Sequence, residues 1–244
     1  MRVNADKSSI LSISRKKDKN IIYFSYKLGD ATISRVSTVS CLGVILDSKW
    51  SWDAQISQVT KKASKILRFS SRVLHDASSE ARLMAFKVLI RPILEYAAGV
   101  WDPHSSSLSK RVEAIQRRAA RVITHEYSRY TSVTDLLATL KLQTLKERRF
   151  QHRLHLFYNI RSGLTILNSI NLLKRPDFIG KNDHQCKVKL IAASRNYARF
   201  SFFHDTIFNW NALDAATVEK DTLESFKTAL GNHRKALSLP KLSS

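Results

Sequence analysis

The chain of 244 residues carries 41 lysines and arginines against 20 aspartates and glutamates, a formal net charge of +21 at pH 7. Apolar residues make up 43% of the sequence, an ordinary share for a folded protein, and this excludes wholesale disorder. The excess of positive charge favours a polyanionic partner, either nucleic acid or an acidic membrane surface. No apolar run approaches the roughly 20 residues of a membrane span. Nucleic acid, and not a membrane, is therefore the expected partner.

The composition also indicates a fold class and a compartment. Only six glycines and four prolines interrupt long stretches with helical spacing of apolar residues, which predicts a mainly α-helical protein. Cys41 and Cys186 are far apart and fit neither a disulfide framework nor a metal site. No signal peptide opens the sequence. We therefore expect an intracellular protein, nuclear or cytoplasmic.

The first 48 residues contain short segments of strand character. Residues 8–13 form one apolar run, and residues 21–26 and 31–36 flank the turn sequence Leu28-Gly29-Asp30, which predicts a β-hairpin. Residues 39–46 are predicted to form one further strand, in which Gly43 indicates a bulge or a close backbone approach. So few strands cannot make a stable sheet with one face uncovered. We expect this region to be the cut edge of a larger domain.

The next predicted helix, residues 50–74, separates apolar from cationic residues. Apolar side chains recur at spacings of three and four, with Ser51 or Asp53 as the predicted N-cap. The opposite face is cationic and carries Lys61, Lys62, Lys65 and Arg68. From this helix alone, a solvated face and a nucleic-acid-binding face are equally good interpretations.

A following helix, from residue 78 to residue 90, is apolar nearly all round, which predicts burial on every side. Pro92 removes one helical hydrogen bond and is expected to kink the chain. Tyr96 and Trp101 are interpreted as core aromatics whose polar atoms are satisfied.

The predicted helix at residues 110–123 again has two faces. Its apolar residues fall on one side at about 100° per residue. Its cations fall on the other, and they are Lys110, Arg111, Arg117, Arg118 and Arg121. Five cations on one face exceed what solubility requires, and the arginine fork suits phosphate. This face is therefore a candidate nucleic-acid-binding surface, with no base specificity implied. For Lys61, Lys62, Lys65 and Arg68, binding is favoured only by the family resemblance described next.

Several motifs carry a family resemblance. Residues 91–104 read R-P-x-L-E-Y-A-x-x-V-W-D-P-H, residues 116–121 read Q-R-R-A-A-R, and residues 202–213 contain F-F…W-N-x-L. Together they resemble the reverse transcriptases of non-LTR (LINE-type) retrotransposons, especially the jockey kind, over essentially the whole chain. Cys41-Leu42-Gly43-Val44-Ile45-Leu46 resembles the Y-L-G-V-x-L strand of that family, so Leu42 and Gly43 are primer-grip-like by resemblance.

The resemblance implies a three-part organisation. Residues 1–48 would be a palm remnant with a β-hairpin and the primer-grip-like strand. Residues 49–161 would be a helical thumb-like domain, and residues 162–244 a C-terminal extension. In the last part, a helix is predicted at residues 164–173. Five aromatic residues are predicted to clamp this part onto the helical middle, namely Phe202, Phe203, Phe208, Trp210 and Phe226.

The same resemblance implies a role in RNA-directed DNA synthesis. The intact family enzyme uses two Mg²⁺ held by paired carboxylates, whereas this sequence contains no Asp-Asp pair and its early aspartates, Asp6, Asp18, Asp30 and Asp47, are interpreted as turn formers. No cofactor is therefore expected in this chain, and it is expected to be inactive alone. It would hold an RNA or DNA template–primer beside an upstream palm and fingers.

Two alternatives stay open at this point. The chain could be a free-standing basic module that binds RNA or DNA. It could also be the non-functional relic of a decayed transposable element. The departures from the family pattern at Cys41, Asp205 and Asp214 favour decay.

Overall fold

A computed structural model of the protein describes residues 4–13, 24–165, 173–181, 183–193 and 196–238. The chain is mainly helical, with short strands near the N terminus followed by a helical bundle, and this confirms the predicted fold class. The described residues form two compact units. Unit 1 takes those of Met1–Ala97 and Trp101–Leu145, and unit 2 takes those of Ala98–Val100 and Lys146–Ser244. Compactness does not test the three-part division by function, which stays a prediction.

Six short strands lie in the described part of unit 1: β1 (Ser9–Leu11), β2 (Lys27–Leu28), β3 (Ala31–Thr32), β4 (Ser34–Val36), β5 (Thr38–Cys41) and β6 (Val44–Asp47). They pair two by two, β1 with β4 in parallel, and β2 with β3 and β5 with β6 in antiparallel fashion. The predicted turn at Gly29 is confirmed, with φ +62° at that glycine. The first arm of the predicted hairpin, residues 21–26, falls partly outside the described residues.

The β5–β6 hairpin corrects a sequence prediction. Residues 39–46 do not form one bulged strand, because the chain reverses at Leu42 and Gly43. Both residues have positive φ, +48° and +79°, as the tight hairpin turns that match strand twist require. A leucine is a poor signal for such a turn, since a side chain in the left-handed region is strained.

The helices of the bundle in unit 1 follow the apolar spacing of the sequence. They are α1 (Asp53–Val73), α2 (Ser79–Ala85), a π-helical turn (Phe86–Ile90), α3 (Arg91–Glu95), α4 (Ala98–Trp101), α5 (Ser106–Thr124) and α6 (Val133–Thr139), but of α4 only Trp101 belongs to unit 1. In α1 the buried residues Ile56, Val59, Ala63 and Leu67 recur every three or four positions, which fixes the buried face. The predicted N-cap of α1 is wrong, because Trp52 occupies that position without a side-chain cap.

The segment from α2 to α3 is buried on one face only. Phe86, Ile90 and Leu94 are fully buried, whereas Val88 and Leu89 are more than half exposed, so the predicted burial on every side is wrong. The number of apolar residues in this segment does not show that neighbouring helices cover only one of its faces. The π-helical turn ends where the Arg91 amide bonds the Phe86 carbonyl. The turn ends two residues before Pro92, which has no amide N–H to donate to a regular helical hydrogen bond.

Trp101 and Tyr96 differ in burial. Trp101 is fully buried and its indole Nε1 donates to the Tyr96 carbonyl at 2.8 Å, which confirms its predicted core position. Tyr96 is 57% exposed, so the same prediction is wrong for this residue. Its hydroxyl donates to the Leu42 carbonyl at 2.8 Å, because the ring lies against the hairpin instead of inside the bundle.

Unit 2 contains α7 (Leu145–Arg161), α8 (Asn196–Arg199), α9 (Phe202–Asn211), α10 (Ala215–Val218) and α11 (Leu223–Ser238), of which α7 begins at the last residue of unit 1. Its core combines aliphatic side chains with a cluster of rings: the Trp210 ring lies 5.2 Å from the ring of Phe157 and 5.5 Å from that of Phe226. Phe208 is 62% exposed, so its predicted role in a clamp is wrong. The helix predicted at residues 164–173 lies largely outside the described residues.

Residues 183–193, which form neither helix nor strand, complete this core. The Trp210 Nε1 donates to the Cys186 carbonyl at 3.0 Å. The Asn211 side chain donates to the Val188 carbonyl at 2.7 Å and accepts from the Val188 amide at 3.0 Å. Side chains of α9 therefore satisfy the backbone of a segment that has no sheet or helix partner of its own. Within the described ranges, no helix has both the length and the apolarity that a membrane span needs.

Candidate nucleic-acid interface

Helices α1 and α5 lie side by side and run in the same direction. Near their starts, an Arg111 guanidinium nitrogen lies 2.5 Å from the Asp53 carboxylate, and the guanidinium also donates to the Ser57 hydroxyl at 2.7 Å. Just beyond their ends, the His125 Nε2 lies 3.2 Å from the His75 carbonyl. These two contacts place the C-terminal halves of both helices next to each other.

A groove of about 730 Å³ separates those C-terminal halves, and we refer to it as the α1–α5 groove. Half of the described lining residues are cationic, and none of the described ones is acidic. The cationic lining residues are Lys65, Arg68, Arg72, Arg118 and Arg121. A concave surface lined by one sign of charge focuses the potential and attracts the opposite charge. The groove is therefore suited to an anionic ligand.

Helical spacing explains how these side chains converge. Lys65, Arg68 and Arg72 follow one another at intervals of three and four, so they share one face of α1. Arg118 and Arg121 are spaced by three on α5. The last turns of helices carry partial negative charge, which stabilises cations there and does not attract anions. Any attraction of the groove for anions must therefore come from the side chains.

Two of the predicted binding residues have structural partners. The Arg121 guanidinium donates to the carbonyls of Glu126, Ser128 and Thr131, at distances of 3.1, 2.9 and 3.2 Å, and so holds the loop after α5. Arg111 joins α5 to α1, as described above. Both guanidinium groups have donors committed inside the protein, and their predicted role in binding stays a prediction.

The other predicted residues divide into two sets. Lys65, Arg68 and Arg118 line the groove. The second set is exposed but does not belong to the groove lining, and it comprises Lys61, Lys62, Lys110 and Arg117. The sequence prediction missed Arg72, although it stands four residues after Arg68 and seven after Lys65, which is the spacing of the same helix face.

Tyr127 adds an aromatic ring to the groove lining. It is 61% exposed and follows the end of α5, where the loop held by Arg121 begins. Bases of single-stranded nucleic acid stack on exposed rings in such positions, whatever their sequence. The loop also carries Tyr130, which is 99% exposed. The arrangement combines charge for phosphates with a ring for a base.

The predicted primer-grip-like residues lie at the tip of the β5–β6 hairpin. Leu42 is 87% exposed, and Gly43 packs against Tyr96, where an added Cβ would stand 3.4 Å from the ring. The buried Gln55 side chain accepts from the Ile45 amide at 2.9 Å and fixes the hairpin to α1. Two segments that carry the family resemblance, residues 41–46 and 91–104, thus contact each other. A grip on a primer stays a prediction.

A two-magnesium centre is held by paired carboxylates, which Asp and Glu side chains supply. Among the described residues, no three His, Cys, Asp or Glu side chains are grouped as a metal site requires. Asp47 accepts a bond from the Lys49 amide at 2.6 Å, as a turn former does. Asp18 lies outside the described residues. The residues described therefore do not fit the two-magnesium centre of the family that the sequence resembles.

No protein-family model matches the chain. No solved structure matches it either. The chain is similar to an uncharacterized protein of Caenorhabditis elegans, with 25% identity over 142 residues, which cover 58% of this chain and 72% of that protein.

Proposed function

We propose that the chain binds the phosphate backbone of nucleic acid in the α1–α5 groove, without base specificity. The observation that supports this proposal is the convergence of five lysine and arginine side chains on a groove whose described lining contains no carboxylate. Each phosphate neutralised by such a side chain releases condensed counterions, and this release drives binding at low salt.

The geometry of the groove favours contact from two sides. Lys65, Arg68 and Arg72 come from one wall, and Arg118 comes from the other. A phosphodiester chain that runs between the helices would therefore meet cations on both flanks. Tyr127 would offer a stacking surface to an unpaired base.

The resemblance to non-LTR reverse transcriptases gives the proposal a specific form. In this form the helical bundle acts as a thumb and holds the template–primer beside a palm and fingers from upstream polypeptide. The chemistry with magnesium would belong to that upstream part. A free-standing binding module and a decayed relic remain the alternatives, and the upstream genomic reading frame distinguishes them.

The experiment compares two triple variants with the same change of net charge. The groove variant carries Lys65→Gln, Arg68→Gln and Arg118→Gln. The control carries Lys62→Gln, Lys110→Gln and Arg117→Gln, three exposed residues outside the groove lining. Affinity for labelled RNA and DNA is measured by fluorescence anisotropy over a salt series. We expect the groove variant to flatten the slope of log affinity against log salt by about two to three units, and the control by clearly less.

The matched control makes the result decisive. Equal flattening in both variants would mean that charge acts diffusely, and it would refute the groove as the binding site. An unchanged slope in the groove variant would place the interface elsewhere. Circular dichroism checks the fold of both variants, since glutamine is a good helix former and should leave α1 and α5 intact.

A further inference from the structure

Unit 2 contains a second basic cavity, which the sequence did not indicate. It measures about 550 Å³ and lies beside the end of α7, next to segments 173–175 and 185–188. Four cationic residues line it, namely Arg161, Lys174, Arg175 and Lys187. They come from three separate parts of the chain, so the cationic cluster exists only in the folded unit.

Backbone and side-chain bonds fix the walls of this cavity. The Lys189 amide donates to the Lys174 carbonyl at 2.7 Å, and the Lys189 ammonium lies 2.6 Å from the Asp177 carboxylate. These bonds hold the two irregular segments together. Asn211 of α9 in turn holds Val188 by two hydrogen bonds. The cationic side chains therefore project from backbone that the core of unit 2 holds in place.

The charges around the cavity are only partly compensated. The Lys187 ammonium lies 2.5 Å from the Asp183 carboxylate, and the Glu219 carboxylate accepts from the amide of the lining residue Gln185 at 3.3 Å. The two arginines have neutral neighbours instead: Arg175 donates to the Gln185 side-chain oxygen at 3.0 Å, and the Arg161 guanidinium lies 5.8 Å from the centre of the Trp210 ring. Such contacts orient a guanidinium without cancelling its charge. The cavity therefore keeps an excess of positive charge that an anion can neutralise.

The remaining lining indicates which anion fits. Apart from the cations and Gln185, the described lining contains only Leu173 and Val188, which is little apolar surface for a base or another hydrophobic group. Arginine and lysine together suit phosphate oxygens. We propose that this cavity is a second phosphate-binding site, which takes the backbone of a nucleic-acid strand and does not depend on the α1–α5 groove.

The test observes both sites at once in the full chain. Amide spectra by ¹H–¹⁵N correlation are recorded during titration with a short single-stranded oligonucleotide, and separately with inorganic phosphate and a mononucleotide. We expect the oligonucleotide to shift the amides of residues 173–175 and 185–188 and the Gln185 side-chain amide. Residues 64–72 and 118–127 report on the groove in the same spectra, so failure of either site is seen independently.

Charge variants assign those shifts to the cavity. Lys174→Gln with Arg175→Gln should abolish these shifts. When the same two substitutions are added to the groove variant, the slope of its log affinity against log salt should flatten by up to about two units. The matched control is Lys181→Gln with Lys220→Gln, two exposed lysines of unit 2 outside the lining, and it should retain the shifts. Absent shifts, or equal loss in both variants, would overturn the proposal. Shifts with phosphate or mononucleotide but not with oligonucleotide would overturn a nucleic-acid occupant and identify a small-molecule site.

Discussion

The two units present their cations in different ways. In unit 1 the groove cations stand on long regular helices, on faces that turn away from buried residues such as Ala63 and Ala119. In unit 2 several cations stand on irregular segments that are held by Asn211 and packed near Trp210. A helix converts the spacing of residues directly into a surface, whereas an irregular segment obtains its position only from tertiary contacts.

The cores of the two units also differ in the type of side chain that they contain. Unit 1 is held largely by rows of aliphatic side chains between helices, whereas the aliphatic core of unit 2 also contains a cluster of rings around Trp210. Trp210 contacts two further rings of this cluster, those of Phe157 and Phe226, so its loss should affect unit 2 more than unit 1.

The largest effect is expected at Trp210. Trp210→Ala removes a fully buried ring and the bond to the Cys186 carbonyl, and should destabilise unit 2 by about 3–5 kcal/mol. Native-state hydrogen exchange should show lost protection in α9 and α11, with α1 and α5 retaining theirs. Trp210→Phe is the control that keeps a ring and should cost less. A uniform loss of protection in both units would contradict this prediction, because it would mean that the two units unfold together.

The helices and their cationic faces could be predicted from the sequence. In α1 and α5 every buried position obeys helical spacing, so Lys65, Arg68 and Arg118 were correctly expected on solvent-facing sides. The groove itself could not be predicted. It requires α5 to lie parallel to α1, and the pattern on each helix does not identify its neighbour. The contact between Arg111 and Asp53 that marks this arrangement joins residues 58 apart in the sequence.

The failures of prediction have physical causes as well. Leu42 is an uncommon residue for a left-handed turn position, so the hairpin was interpreted as a strand. The exposure of Val88 was missed because apolar character does not reveal which side of a helix is covered. The cavity of unit 2 depends on hydrogen bonds of Lys189 and Asn211 with backbone atoms far along the chain, and these have no periodic signature.

Arg121 differs from the other cations of the α1–α5 groove, because its guanidinium holds the loop after α5. Arg121→Ala leaves three carbonyls without their donor and should destabilise the protein by about 1–3 kcal/mol. Arg118→Ala, at an exposed helix position, should be nearly neutral. Urea unfolding measures both changes. Arg121→Lys should not restore stability, because one ammonium lacks the fork that reaches several carbonyls. Full rescue by lysine would show that Arg121 acts through charge alone.

Acid should weaken unit 2 through His155. Burial is the main cause that lowers the pKa of His155 from 6.5 to about 4, and the positive charges of His152, Lys227 and Arg148 act in the same direction. The negative charge of Glu224 opposes this shift. Between these values the unfolded chain binds more protons, so the contribution is complete above pH 6.5 and is lost as the pH falls towards 4. Because the ring is partly exposed, we expect a loss of about 1–2 kcal/mol.

The measurement compares the wild type with His155→Gln. Urea unfolding above pH 6.5 and near pH 4 gives the loss of stability for each, and the difference between them isolates this histidine from the carboxylates that titrate in the same range. The variant should lose less stability on acidification. Burial also lowers the pKa of His184, so the variant should keep part of the acid sensitivity. Identical losses in the two proteins would rule out a contribution from His155.

The smallest effect concerns the hairpin tip, where unit 1 departs from regular structure. Leu42 has φ +48° and an 87% exposed side chain, so it bears the strain of the left-handed region without burying apolar surface. Leu42→Asn should raise the free energy of unfolding by about 0.5–1 kcal/mol, because asparagine tolerates this conformation and Asn-Gly favours this turn. Gly43→Ala is the opposite control and should destabilise, since φ is +79° and the new Cβ would approach Tyr96 to 3.4 Å.

Binding measured on the same variant separates strain from function. If Leu42 contacts nucleic acid, as its primer-grip-like position predicts, Leu42→Asn should stabilise the protein and still weaken its affinity for a primed template. A strained residue that is kept for contact with a ligand has this signature. A variant that is more stable and binds equally well would leave the exposed leucine without a role in binding. The regular helices of unit 1 would then account for its interface alone.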